Sequence, residues 1–133
     1  MKRIVSFLRQ NEDYFYFAFR VIVGLMFIQH GMQKLFGALG GTQVETYVSL
    51  FGLAGFIEFF GGLLIILGLF TRMAALFGIF DMIGAWFIAH TPQGWIPIIN
   101  MGELAVMFFA AFLIILVRGS GKAGLDNYFK KNY

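Results

Sequence analysis

Residues 52–70 read GLAGFIEFFGGLLIILGLF, nineteen consecutive positions with one ionisable side chain, Glu58. At a rise of about 1.5 Å per residue, roughly 20 apolar residues carry a helix through the ~30 Å hydrocarbon layer of a bilayer. Working outward from this stretch, 14–36, 73–90 and 101–117 are comparable in length and apolarity. Of the 133 residues, 59% are hydrophobic and 13% charged. A soluble domain of that size leaves much of its surface exposed, and this composition has too few polar groups to cover it. The sequence therefore predicts an all-α integral membrane four-helix bundle, a single transmembrane domain over 1–133. The acidic Glu12 and Asp13 interrupt the front of the first stretch and no small-residue cleavage site follows it. It reads as a retained helix rather than a cleaved signal peptide.

The cations predict the orientation, because Lys and Arg in short flanking loops stay on the cytoplasmic side. Lys2, Arg3 and Arg9 precede the first helix, Arg72 lies in the tight turn between the second and third, and Arg118, Lys122, Lys130 and Lys131 follow the fourth. The loops 37–51 and 91–100 contain neither Lys nor Arg. Both termini are expected on the cytoplasmic face of the inner membrane. The excess of Lys and Arg over Asp and Glu, 10 against 7, reads as topology and attraction to anionic headgroups. No patterned basic and aromatic surface speaks for nucleic acid. The loop 37–51 leaves room for a short interfacial helix, and Trp95 is placed where an indole would sit among headgroups.

Ionisable residues inside the apolar stretches cost at least about 2.5 kcal/mol each at mid-bilayer when charged, so they pair or face a cavity. They are Arg20, His30 and Lys34 in the first helix, Glu58 in the second, Asp81 and His90 in the third and Glu103 in the fourth. At about 100° per residue, Arg20, Gly24, Phe27, Gly31 and Lys34 share one face, with His30 at its edge. On the second helix Ala54, Gly61 and Gly68 recur at seven-residue spacing and suggest a packing seam holding Glu58. Asp81 and His90 fall on nearly opposite faces of an ideal helix: either the third helix loosens before Pro92, or one of the two lies outside the cluster. Arg20 and Asp81 read as a charge pair that fixes register, and Arg72 as a topology anchor and helix cap. Four groups, His30, Lys34, Glu58 and Glu103, exceed what register needs and are the candidate catalytic set.

The combined pattern of Arg20, His30-Gly31 and Lys34, then Glu58, Gly61-Gly62, Gly68 and Thr71-Arg72, resembles the DoxX family. The likeness continues through Asp81-Met82, Ala85, His90 and Glu103 to Gly119-Ser120-Gly121-Lys122 and Leu125-Asp126. Ser120 stands where that family's tail often has proline, and the tail runs on past Asp126. The resemblance implies a four-helix bundle in a bacterial or archaeal cytoplasmic membrane and a link to redox metabolism. Some DoxX relatives are membrane subunits of a thiosulfate:quinone oxidoreductase, and others associate with oxidative-stress proteins.

Chemistry narrows the field independently. Without cysteine the chain cannot run dithiol exchange or hold an iron–sulfur cluster. His30 and His90 are the two histidines a b-type haem would require, but their setting beside Lys34 and Glu103 reads better as a hydrogen-bonded polar site. No glycine-rich nucleotide loop and no metal site are expected. The preferred reading is a quinone or small-molecule site in the outer half of the bundle. His30, Lys34 and His90 would hold the ligand, and Glu58 or Glu103 would exchange the protons of quinone reduction. Such a site needs a soluble or membrane redox partner that donates electrons. An enzymatic role would then be that of a quinone-linked oxidoreductase subunit. The competing class is a non-enzymatic membrane scaffold or assembly factor, and a third is a proton-coupled carrier. The sequence leaves the oligomeric state open.

Overall fold

The computed structural model describes residues 1–132, with Lys131 and Asn132 described by their backbone alone, so the Lys131 charge lies outside the described residues. The regular structure is helical throughout: α1 (Lys2–Gln10), α2 (Glu12–Phe36), α3 (Leu50–Leu67), α4 (Thr71–Ala85), the single turn α5 (Pro97–Asn100), α6 (Glu103–Arg118) and α7 (Leu125–Asn132). Three helical stretches, Glu12–Phe36, Leu50–Leu67 and Thr71–Gln93, are long and apolar enough to cross a membrane. The fourth expected stretch folds as α6, whose 16 residues reach only about 24 Å at the helical rise and which is not among those three. The short helices α1 and α7 were not anticipated. The loop 37–51 contains no helix before Leu50. It is instead tied down by Gln43 Nε2 and Tyr47 Oη, which donate to the Leu35 carbonyl at 3.0 and 3.1 Å.

Glycines decide how α2 and α3 meet. A Cβ on Gly24 would lie 2.8 Å from the Gly62 carbonyl oxygen, and one on Gly31 would lie 2.7 Å from Phe59 Cα, so the two backbones touch. The seven-residue spacing expected on α3 is correct, but its phase is one residue off. Gly55 and Gly62 form the seam, whereas a Cβ on Gly61 would meet only the Phe27 ring, at 3.6 Å. Ala54 lines a cavity instead. Close backbone approach of this kind lets dispersion contacts and helix dipoles act where lipid offers no hydrophobic drive. On the other side, Phe112 of α6 lies against Gly78 of α4. Phe27, Ile65, Ala75, Phe112 and Ile115 form the centre of the apolar core.

One end of the bundle is closed by the tail. Gly68 ends α3 in a left-handed conformation (φ 66°) and is followed by Phe70, also left-handed at φ 45°. The N–H groups of Phe70 and Thr71, orphaned at the start of α4, donate to the two carboxylate oxygens of Asp126 at 2.7 and 2.9 Å. The Asp126 N–H answers by donating to the Gly68 carbonyl at 2.8 Å. Arg20, wholly buried, completes the clasp. Its guanidinium donates to the carbonyls of Ile65 and Ile66 at the end of α3 and, at 3.1 Å, to that of Ala123.

The expected Arg20–Asp81 pair is therefore absent among the described residues. The terminal carbonyls of α3 take the guanidinium's hydrogens, because such groups have no partner within their own helix. Arg72 does cap a helix, donating from Nη1 to the Leu116 carbonyl of α6 at 2.9 Å.

The same end gathers both termini. Arg118 pairs with Glu12 at 3.3 Å and Lys122 with Asp13 at 2.6 Å, while Tyr16 Oη donates to the Gly119 carbonyl at 2.5 Å. The hydrogen bond to Asp13 and its charge hold the Lys122 ammonium above its ordinary pKa, so this exposed contact keeps its charge through the physiological range.

Candidate functional site

The site grows out of the α2–α3 seam. With Gly31 against Phe59, Lys34, almost one turn further along α2, is brought alongside α3, where its ammonium donates to Glu58 Oε1. The Glu58 side chain is 4% exposed and that of Lys34 26%. Asp81 arrives from α4 at a matching depth. Glu58 is nine residues from the end of α3, and Asp81 is ten residues into α4 on the other side of the turn. Glu58 Oε2 and Asp81 Oδ2 are both buried without a hydrogen-bond partner.

Two cavities flank the Lys34–Glu58 pair. One, of about 360 Å³ between α3 and α4, is lined by Lys34, Glu58, Asp81 and His90 and walled by apolar side chains that include Phe51 and Phe80. The other, of about 250 Å³, adds His30 and Phe108 to Lys34, Glu58 and His90. The His30 ring stands edge-on to Phe108 with centroids 5.8 Å apart.

His90 reaches the first cavity because the helix does loosen before Pro92. From Trp86 to His90 the turn widens, and the Thr91 N–H bonds to the Trp86 carbonyl five residues back. The wider turn delays the helical phase and brings His90 to the same cavity as Asp81. His90 Nδ1 lies 3.1 Å from the Asn100 carbonyl oxygen.

Glu103 is not brought to the others. It is exposed at the first turn of α6, since the buried face of that helix runs through Ala105, Phe108, Phe112 and Ile115 and Glu103, two residues before Ala105, points the other way. Its carboxylate complements the positive end of the helix dipole. Asn100, which the sequence reading passed over, is wholly buried. It donates to the Gly94 carbonyl at 2.7 Å and accepts from the Gly102 N–H at 2.8 Å, holding the loop beneath His90. A lone amide between Pro97 and Gly102 in an apolar run was the available signal.

The arrangement is a half-satisfied ion pair. One carboxylate oxygen of Glu58 is used by Lys34, while Glu58 Oε2 and Asp81 Oδ2 are left as acceptors. A buried polar group without a partner costs about 1–3 kcal/mol. Among the described residues, no three His, Asp or Glu side chains converge as a metal site.

The family model of DoxX matches residues 15–91. The chain belongs to the DoxX family. The matched segment holds His30, Lys34, Glu58, Asp81 and His90, and leaves α6 and the tail outside it. An uncharacterized protein of Haemophilus influenzae is 37% identical over 93% of this chain and 98% of its own length. The inner membrane protein YqjF of Escherichia coli is 28% identical over 95% of this chain and all of its own. An uncharacterized membrane protein of Mycobacterium tuberculosis is 29% identical over 84% of this chain and 79% of its own. No solved structure matches. This DoxX protein is thus a membrane protein whose ion pair falls within its family segment.

Proposed function

We propose that this DoxX protein is a multi-pass protein of the inner membrane that binds a quinone at the Lys34–Glu58–Asp81 cavity, as the membrane subunit of a redox system. The observation that carries the reading is the convergence of Lys34, Glu58 and Asp81 on the lining of one largely apolar cavity, with Glu58 Oε2 and Asp81 Oδ2 buried and unpartnered. Its volume, about 360 Å³, lies within the range of small-molecule sites. A quinone ring suits apolar walls. Lys34 can donate to one oxygen of the quinone, and the carboxylates of Glu58 and Asp81 can accept from the hydroxyls of the quinol and take up its protons when it is oxidised. Reduction to quinol consumes two electrons, supplied by a separate redox partner, and two protons, drawn from water and relayed to the two ring oxygens through Glu58 and Asp81. His30 and His90 line the cavities on either side and orient the ligand.

The same reading takes α6 as a fourth crossing. Its apolar run is extended by the turn Pro97–Asn100, and Phe112 packs against Gly78 of α4. Both termini lie on the cytoplasmic side, since Arg72, Arg118 and Lys122 gather at one end of the bundle and the loops at the other carry no Lys or Arg.

A scaffold reading draws on a different observation: the hydrogen bonds of the Arg20 Nη atoms and of the Asp126 carboxylate all go to backbone groups of the clasp. Mass spectrometry of lipids co-purified in mild detergent separates the two. Stoichiometric quinone with the wild type, lost with Glu58→Gln and diminished with His30→Ala, is the expected result. Folded protein without quinone in any sample moves the assignment to the scaffold.

A further inference from the structure

The α1 helix has no buried residue, and nothing among the described residues covers its apolar side. Its sequence, KRIVSFLRQ, divides cleanly on a helical wheel. Ile4, Val5, Phe7 and Leu8 occupy an arc of about 160°, and Lys2, Arg3, Ser6, Arg9 and Gln10 fill an opposing arc of about 120°. All four apolar side chains are exposed, Ile4 at 65% and Phe7 at 58%. The helix stops at Asn11, whose N–H and side-chain amide both bond to the Phe7 carbonyl, and α2 starts at the next residue. The break frees the direction of α1 from that of the span it precedes.

Three observations name what covers this face. The helix contains three cations and no acidic residue. It joins α2 directly, so its apolar side stays at the depth where the span leaves the hydrocarbon. The same end of the bundle carries Arg72 and Lys130 beside the Arg118–Glu12 and Lys122–Asp13 pairs, so cations are concentrated at the end where α1 joins. A short helix with a cationic face and a Phe- and Leu-bearing face, held at a span's end, has the make-up of an interfacial helix. We infer that α1 lies in the headgroup layer of the leaflet next to both termini. Ile4, Val5, Phe7 and Leu8 enter the acyl boundary while Lys2, Arg3 and Arg9 bind anionic lipid. The chain thus carries a lipid-charge contact of its own, independent of the cavity between α3 and α4.

The absence of cysteine makes the test direct. Phe7→Cys and Ser6→Cys variants of the full chain, each labelled with an environment-sensitive fluorophore, are reconstituted into vesicles of neutral lipid or of neutral lipid with about 30% anionic lipid. In anionic vesicles the label at position 7 is expected to emit to the blue and to be quenched by aqueous iodide at least about threefold less than that at position 6. Replacing Lys2, Arg3 and Arg9 together with Gln should remove most of that contrast. Equal quenching at the two positions in anionic vesicles overturns the inference. So does protection of position 7 that is unchanged in neutral vesicles. Protection that disappears when the protein is diluted with lipid also overturns it, by showing that a second copy covers the face.

Discussion

The Lys34 ammonium bonds to one oxygen of the Glu58 carboxylate and leaves the other, Oε2, buried without a partner, and Glu58 lines one cavity with Asp81. The pair joins α2 to α3 just beyond the point where Gly31 brings their backbones together. Structure and the proposed binding therefore depend on the same contact.

Breaking one partner of such a pair strands a charge. Lys34→Met is expected to destabilise the protein by about 3–5 kcal/mol, and the double variant Lys34→Met with Glu58→Leu by much less, because neither then leaves an uncompensated buried ion. Thermal unfolding in detergent, read as a double-mutant cycle, measures the coupling. A loss in the double variant equal to the sum of the losses in Lys34→Met and Glu58→Leu alone would show that the contact carries no interaction energy.

The glycine seam makes a second contrast. Gly31→Ala places a methyl group 2.7 Å from Phe59 Cα and must push α2 from α3, at an expected cost of about 1–3 kcal/mol. Gly61→Ala meets only the Phe27 ring at 3.6 Å and should be neutral or slightly stabilising, since alanine is the better helix former. The melting temperatures of the two variants decide it.

Much of this architecture was legible in the sequence. Apolar run lengths located α2, α3, α4 and α6 to within a few residues, and helical phase placed Arg20, Gly24, Phe27 and Gly31 on one buried face, as α2 shows. The phase conflict between Asp81 and His90 left a loosened helix as one of two alternatives, and the widened turn at 86–90 is that one. What failed were pairings made by the tail. Arg20 was assigned to Asp81 because opposite charges in apolar helices attract, but no periodicity reveals that residues 123–126 fold back onto the end of α3. Glu103 was misplaced for a related reason: the buried face of α6 is set by its contact with α4, and an all-round apolar helix does not advertise that face.

The clasp can be tested at Asp126. Asp126→Ala removes a cap from the start of α4 and is expected to cost about 1 kcal/mol, with faster tryptic cleavage at Lys122 as the tail loosens. Asp126→Asn keeps one acceptor oxygen and should lie between the two. A cleavage rate unchanged in Asp126→Ala would show that the tail is held by other contacts.

Topology is open to the same cysteine-free background. With Thr42→Cys in the cation-free loop and Asn127→Cys in the tail, a membrane-impermeant thiol reagent applied to intact cells is expected to label position 42 and to reach position 127 only after lysis. The reverse pattern would invert the bundle.

The central claim is that the cavity lined by Lys34, Glu58 and Asp81 holds a quinone. The most direct measurement is photocrosslinking of the reconstituted protein with an azido-quinone, followed by peptide mapping in the presence and absence of excess unmodified quinone. We expect competed adducts within 50–58 and 80–90, the walls of the cavity, and their loss in Glu58→Gln. Adducts confined to lipid-facing side chains such as Phe77 and Met107, unaffected by competitor, would contradict the claim.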